Sequence, residues 1–136
     1  MREVFADTFH FLALLNPRDR QHAHAAEIAT GNDLTVVTTR AVLLEVADAL
    51  AHAATRAIAA EFLDSLEADP RATILELDED LYHRGLTLYK DRPDKDWSLT
   101  DCISFVVMGD RGVLEALTGD HHFAQAGFIP LLIQEP

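Results

Sequence analysis

Apolar and polar positions along this chain fall into blocks of two different periods. Short apolar or β-branched runs occupy residues 4–6, 34–38, 72–77, 112–117 and 129–133. Runs of that length bounded by polar or turn residues have the size of buried strands. Longer segments of helical spacing lie between them. Residues 8–16 predict a helix that Pro17 stops, because proline cannot donate to the helical ladder and restricts the residue before it. Residues 21–30 form an alanine-rich helix ending before Gly31, a natural C-terminal cap. Residues 40–53 place Val42, Leu43, Val46 and Leu50 at helical spacing, and residues 55–68 place Ile58, Phe62 and Leu66 on one face before Pro70. Residues 80–89 predict another helix, and 90–97 an exposed loop of alternating charges around Pro93. Ser98 then opens an apolar helix through Met108, and residues 120–125 make a short helix closed by Gly127.

Strands that alternate with helices and carry near-continuous apolar cores signal an α/β fold with a mostly parallel sheet. The length, 136 residues, is that of one domain, and 49% apolar composition supplies a core. There is no internal repeat and no linker. A single cysteine, Cys102, excludes a disulfide framework within the chain. The N-terminus reaches Asp7 before a signal-peptide apolar stretch forms, and no uncharged stretch approaches the roughly 20 residues of a membrane span. A soluble, cytoplasmic protein is expected.

Charge complicates the choice of partner. The chain has 23 acids against 11 bases, a net charge of -12 and only two lysines, Lys90 and Lys95. Nucleic-acid binders usually show the opposite balance. Four of the acids, however, fall at special places. Asp7 follows the first strand, Glu45 lies one to two turns into the helix after the second, Asp101 is in the first turn of the Ser98 helix, and Asp120 follows the fourth strand. In a parallel sheet these positions converge in the crevice outside the carboxyl ends of the strands. Asp94 and Asp96 lie just upstream of Asp101 and are candidates for its rim.

Clustered carboxylates raise one another's pKa and resist joint ionisation. A hard divalent cation such as Mg²⁺ or Mn²⁺, which prefers oxygen ligands, offsets that cost and attracts phosphate. It also lowers the pKa of a bound water. Each carboxylate has a plainer role as well. Asp7 and Asp120 precede helices as N-caps, and Ser98-Leu99-Thr100-Asp101 fits a capping box. Glu45 sits mid-helix, where a solvated face shared with Asp48 would explain it. The signal lies in four such residues in the right element order.

With those residues in place, the chain resembles the PIN-domain ribonucleases, specifically the VapC-like toxins of bacterial toxin–antitoxin pairs. The likeness spans nearly the whole chain. It rests on Val4-Phe5-Ala6-Asp7-Thr8, Leu43-Leu44-Glu45-Val46, residues 97–105 (WSLTDCISF) and residues 116–123 (ALTGDHHF) followed by Ala126-Gly127-Phe128. The resemblance implies a three-layer α/β/α domain over residues 1–136 with a central five-stranded, mostly parallel sheet. It implies Mg²⁺- or Mn²⁺-dependent endonucleolytic cleavage of RNA by metal-activated water. Asp7, Glu45, Asp101 and Asp120 would form the acidic quartet, with Asp7 and Asp101 as metal ligands. Thr118 and His121 are candidates for the further polar residues such proteins often carry near the last carboxylate. Gly119 stands where relatives often have a larger residue. A cognate antitoxin and a homodimer are the implied protein partners, and the apolar Phe9, Phe11, Leu12 and Leu15 are candidates for those surfaces.

Other assignments are weaker. A receiver domain needs a lysine near its last strand, and none follows Lys95; a dehalogenase-type phosphatase needs Asp-x-Asp where the chain has Asp7-Thr8-Phe9. A dinucleotide site needs glycines that are missing after the first strand. Seven histidines include His22, His24, His121 and His122, but no H-E-x-x-H or paired C-x-x-C supports zinc. Arg18, Arg20, His22 and His24 form one basic patch, and Lys90, Arg92 and Lys95 another diluted by acids. Trp97 reads as a packing anchor rather than a base-stacking platform. The rival from a different class is a PIN-fold module that binds RNA or protein with weak catalysis.

Overall fold

A computed structural model describes residues 2–31 and 33–133. Five strands, β1 (Arg2–Ala6), β2 (Leu34–Thr39), β3 (Ala72–Leu75), β4 (Glu115–Leu117) and β5 (Ile129–Pro130), form one sheet. All four pairings are parallel and the spatial order is β3-β2-β1-β4-β5. Among the described residues seven helices accompany them: α1 (Thr8–Leu15), α2 (His22–Thr30), α3 (Arg40–Ala49), α4 (Arg56–Ala68), α5 (Glu79–Asp91), α6 (Leu99–Arg111) and α7 (His121–Gln125). Parallel crossovers are right-handed. The steps β1 to β2 to β3 therefore lay α1 to α4 on one face, and the return past β1 to β4 lays α5 and α6 on the other. This is the expected three-layer α/β/α domain. Among the described residues no helix is long and apolar enough to cross a membrane.

Strand β1 is central, and Val4, Phe5 and Ala6 have no solvent exposure. The chain reverses its direction of travel across the sheet beside β1, so the crevice at the ends of β1 and β4 is a topological switch point. Beneath that crevice lies an aromatic cluster. Phe105 of α6 packs edge-on against Trp97 and Phe123, with centroids 5.1 and 4.9 Å away, and tilted on Phe128 at 5.6 Å. Trp97 is buried and donates from Nε1 to Gln125 Oε1 at 3.1 Å. It is the expected anchor, and it ties the start of α6 to α7.

Several boundaries differ from expectation. The helix predicted over residues 40–53 stops at Ala49. Residues 51–54 are exposed, so alanine propensity has no packing to support it, and Thr55 donates its hydroxyl to the carbonyls of Leu50 and His52. Gly31 does follow α2, but its backbone is extended (φ -71°); the glycines of positive φ are Gly112 (65°) after α6 and Gly127 (95°) after α7, among the described residues. Phe11 is buried, and Leu12 and Leu15 pack on the core, so α1 spends its apolar residues internally. His10 is buried too, and burial pushes its imidazole down to about 4, leaving it neutral. The large exposed apolar side chains are elsewhere, among them Leu44, Ile58, Leu114 and Ile129.

Gly85 sets how closely α5 approaches α6. A Cβ there would lie 2.5 Å from Ile103 Cγ1 and 3.3 Å from the Ile103 backbone, which cannot yield. Gly85→Ala should therefore lower the melting temperature by several degrees. Overpacking of about 1–3 kcal/mol outweighs the roughly 1 kcal/mol that alanine gains in a helix.

Candidate active site

Asp7, Glu45, Asp101 and Asp120 line one pocket at the switch point, together with Thr8, Asp96, Ser98 and His122. All four carboxylates named from the sequence thus meet. Asp96 joins the rim. Asp94 does not, because it pairs with Arg92 at 2.9 Å. Each carboxylate is delivered by a different element. Asp7 is the first residue beyond β1, held by its amide N–H donating to Leu117 O at 3.3 Å. Glu45 projects from α3 and accepts from Thr8 Oγ1 at 2.6 Å. Asp101 lies in the first turn of α6, and Asp120 caps α7. Three of them sit at helix N-termini, where the helix dipole favours negative charge.

Two of the plainer roles are real and coexist with membership of the pocket. Asp101 and Ser98 form a complete capping box, and Asp120 Oδ1 accepts from the His122 amide at 2.9 Å. Asp7 is different: it occupies the N-cap position of α1 but makes no side-chain cap bond. Its Oδ2 instead accepts from Thr118 Oγ1 at 2.9 Å, and the same hydroxyl accepts from the Asp120 amide at 3.0 Å. Thr118, with no solvent exposure, clamps the first and last carboxylates to one another.

The electrostatics are those of an uncompensated anion cluster. Among the described residues no lysine or arginine pairs with any of the four; the only ion-pair partners are histidines. Asp7 is 5% exposed, and its carboxyl is pushed up to about 7. Burial is the main cause, opposed by the Thr118 hydrogen bond and reinforced by the charges of Asp101 and Asp120. Asp101 is raised as well, first by burial and then by Asp120, against the Ser98 amide and His122.

His122 is the site residue that sequence reasoning missed. Its Nδ1 donates to Asp101 Oδ2 at 3.0 Å and lies 3.4 Å from Asp120 Oδ1. An ionised carboxylate only accepts, so Nδ1 is the donor in this contact. His121, the candidate from the sequence, is exposed and outside the pocket, 3.6 Å from Asp120. Asp120 precedes two adjacent histidines, and only the turn of α7 decides which one faces inward. Orienting partners of this kind usually matter tenfold to a hundredfold for metal affinity. His122→Ala should accordingly weaken Mn²⁺ binding by about that factor in a calorimetric titration, with little change for His121→Ala.

Gly119 also receives an explanation. A Cβ at that position would stand 2.4 Å from Phe9 Cζ, so the ring of Phe9 fills the space that a larger residue would need.

The donor set suits a hard cation. Four carboxylates offer oxygen alone, and the raised proton affinities of Asp7 and Asp101 reflect burial and a shortage of positive charge in the pocket. Among the described residues, the one trio of ligand atoms lying within 4.8 Å of one another is Asp120, His121 and His122. The four carboxylates are spaced more widely, which suits an ion that retains waters between itself and the protein.

Comparison with known proteins agrees with this geometry. The PIN domain family matches residues 4–129. The chain is 28% identical over 130 residues to the 23S rRNA-specific endonuclease VapC20 of Mycobacterium tuberculosis, covering 93% of this chain and 95% of that protein. The crystal structure of VapC20, described as a Sarcin-Ricin loop cleaving toxin, superposes with a TM-score of 0.86 at 25% identity over 95% of this chain and 98% of that one. VapBC2 from Rickettsia felis, solved bound to a DNA fragment from its promoter, shares the fold with a TM-score of 0.67 at 12% identity, covering 94% of this chain and 96% of that one. FitAcB from Neisseria gonorrhoeae does so at 0.60 and 16% identity, covering 93% and 94%.

Proposed function

Because the chain belongs to the PIN-domain family, we propose that it is a metal-dependent endoribonuclease and the toxin of a toxin–antitoxin pair. The observation that carries the reading is the convergence of four carboxylates from four elements in one pocket that, among the described residues, holds no lysine or arginine. Its likeness to VapC20 along nearly the full length supports RNA as substrate.

Asp7 and Asp101 would hold Mg²⁺ or Mn²⁺, partly through water, with Glu45 and Asp120 completing the set. A bound divalent cation neutralises charge on the phosphoryl oxygens and lowers the pKa of a coordinated water. The protein's own part is positional. Thr118 fixes Asp7 against Asp120, Ser98 and His122 fix Asp101, and Thr8 fixes Glu45. No carboxylate is left to choose its own rotamer, which is what an in-line displacement at phosphorus requires.

The protein partner follows from the same charge. A basic antitoxin segment would satisfy the carboxylates and exclude substrate. Leu44 on α3 and Ile58 on α4, both more than half exposed, supply apolar surface for a homodimer. The experiment that tests the activity is RNA cleavage by the purified chain with Mg²⁺ or Mn²⁺, beside an EDTA control and the Asp7→Asn variant. Cleavage that survives both chelation and the substitution would overturn the reading in favour of a contaminant or a different centre.

A further inference from the structure

The bases of this acidic chain are distributed with respect to the pocket. Of 11 lysines and arginines, six are neutralised by acids: Arg2, Arg40, Arg71, Arg84, Arg92 and Arg111. Among the described residues, five have no ion-pair partner. Arg56 is one, and its guanidinium donates to the Ala51 carbonyl. The other four are Arg18, Arg20, Lys90 and Lys95, and all four line clefts that adjoin the carboxylate pocket.

Arg18 and Arg20, in the loop that joins α1 to α2, border a cleft of about 640 Å³ closed on the other side by Leu132 and Ile133; it shares Phe9 with the pocket and reaches Gly119, next to Asp120. Lys90 and Lys95 border a cleft of about 860 Å³ that shares Asp96 and Ser98 with the pocket. The half-exposed ring of Tyr89 lies along it. The pocket between them is smaller, about 350 Å³. The arrangement is a positive cleft, a negative centre and a second positive cleft. Asp19 and Asp96 are the acids within the clefts. Asp19 is occupied as an acceptor for the Gln21 amide.

We propose that these two clefts are a single track for one strand of RNA, which enters over Arg18 and Arg20, presents a phosphate at the carboxylates and leaves over Lys90 and Lys95. What happens at the centre rests on the nuclease reading; the track concerns how the strand is held. Uncompensated lysines and arginines bind phosphates by releasing counterions, and an exposed aromatic ring stacks on any base. Without these four the protein would repel the polyanion on every approach. With them, cations meet the strand on both sides of the point where it is cut.

The test measures binding and cleavage separately. Affinity for a 5′-fluorescein-labelled single-stranded RNA of mixed sequence is read by anisotropy, with Ca²⁺ replacing Mg²⁺ to hold the strand without the stricter Mg²⁺ geometry. Three full-length variants are compared with wild type: Arg18→Gln/Arg20→Gln, Lys90→Gln/Lys95→Gln, and Arg56→Gln as a control for overall charge. Each double variant should raise Kd about tenfold and reduce the slope of log K against log salt by about 1.4, or about 0.7 for each phosphate left without its cation. In cleavage KM should rise while kcat holds. Arg56→Gln should change neither. Double variants that keep the wild-type Kd and salt slope would overturn the track. So would an Arg56→Gln effect as large as theirs, which would make it a matter of net charge. Wild type that binds RNA through these residues but never cuts it would instead sink the nuclease reading and leave the track standing.

Discussion

Asp7→Asn will lower RNA cleavage by at least about a thousandfold, equal to roughly 4 kcal/mol, and will make the metal-free protein more stable at neutral pH and above. Both effects come from one buried charge. Asp7 is 5% exposed, and its carboxyl titrates near 7. Asparagine keeps an oxygen for the Thr118 hydroxyl but carries no charge to desolvate. The pH dependence gives the sign. Between the unfolded pKa near 3.9 and the folded value near 7, the folded state binds more protons than the unfolded one. Stability contributed by Asp7 is thus complete below that window and is lost as pH rises through it. A shift of about three units corresponds to a cost of the order of 4 kcal/mol when Asp7 is fully ionised. His10, held neutral with a pKa near 4, acts in the opposite direction, but it is common to both proteins and cancels in the comparison. Melting curves in EDTA at pH 5 and pH 8 should therefore show Asp7→Asn ahead at both, with its lead at pH 5 less than half of that at pH 8. A variant that is less stable at pH 8 would show that burying this carboxylate costs nothing. Stability given up for a charged centre is a common trade in enzymes.

The second large effect is on metal binding. If Asp7 is a ligand, the incoming ion must displace its proton. Affinity for Mn²⁺ should then fall towards tenfold per pH unit below about 7 and level off above it. Asp101, also raised by burial, steepens the fall at the acid end. Titration calorimetry in two buffers of different ionisation enthalpy should count about one proton released per ion bound near pH 6.5. Affinity that stays flat from pH 5.5 to pH 7.5 would remove Asp7 from the ligand set.

Much of this molecule was legible in its sequence, because the fold is written in period and the site in element order. Asp7, Asp101 and Asp120 each follow a strand or open a helix on one edge, Glu45 lies one to two turns into a helix on that edge, and parallel topology carries all such positions to the same place. The capping box at Ser98 was equally visible, since it depends on four consecutive residues. What escaped depends on side-chain direction or on distant neighbours. Nothing in Asp120-His121-His122 says which imidazole turns inward. Nothing near Gly119 announces that the Phe9 ring fills its space. The two basic patches were visible, but composition cannot reveal which arginines already have a carboxylate. The early end of α3 was hidden because helix propensity is a weak prior where no core awaits the residues.

The clamp between Thr118 and Asp7 joins positions 111 apart in the chain. Strand β1 is made first and pairs with β4, made nearly last. Chains fold from the N-terminus as they are synthesised, and non-local contacts wait for their far partner. A growing chain that has reached the end of α6 already owns three of its four carboxylates but has no β4, no Thr118 and no Asp120. Its centre stays incomplete until β4 and the residues that follow it are made and can pair with β1. The pairing of β1 with β4 thus makes the four-carboxylate centre one of the last features of the fold that can form.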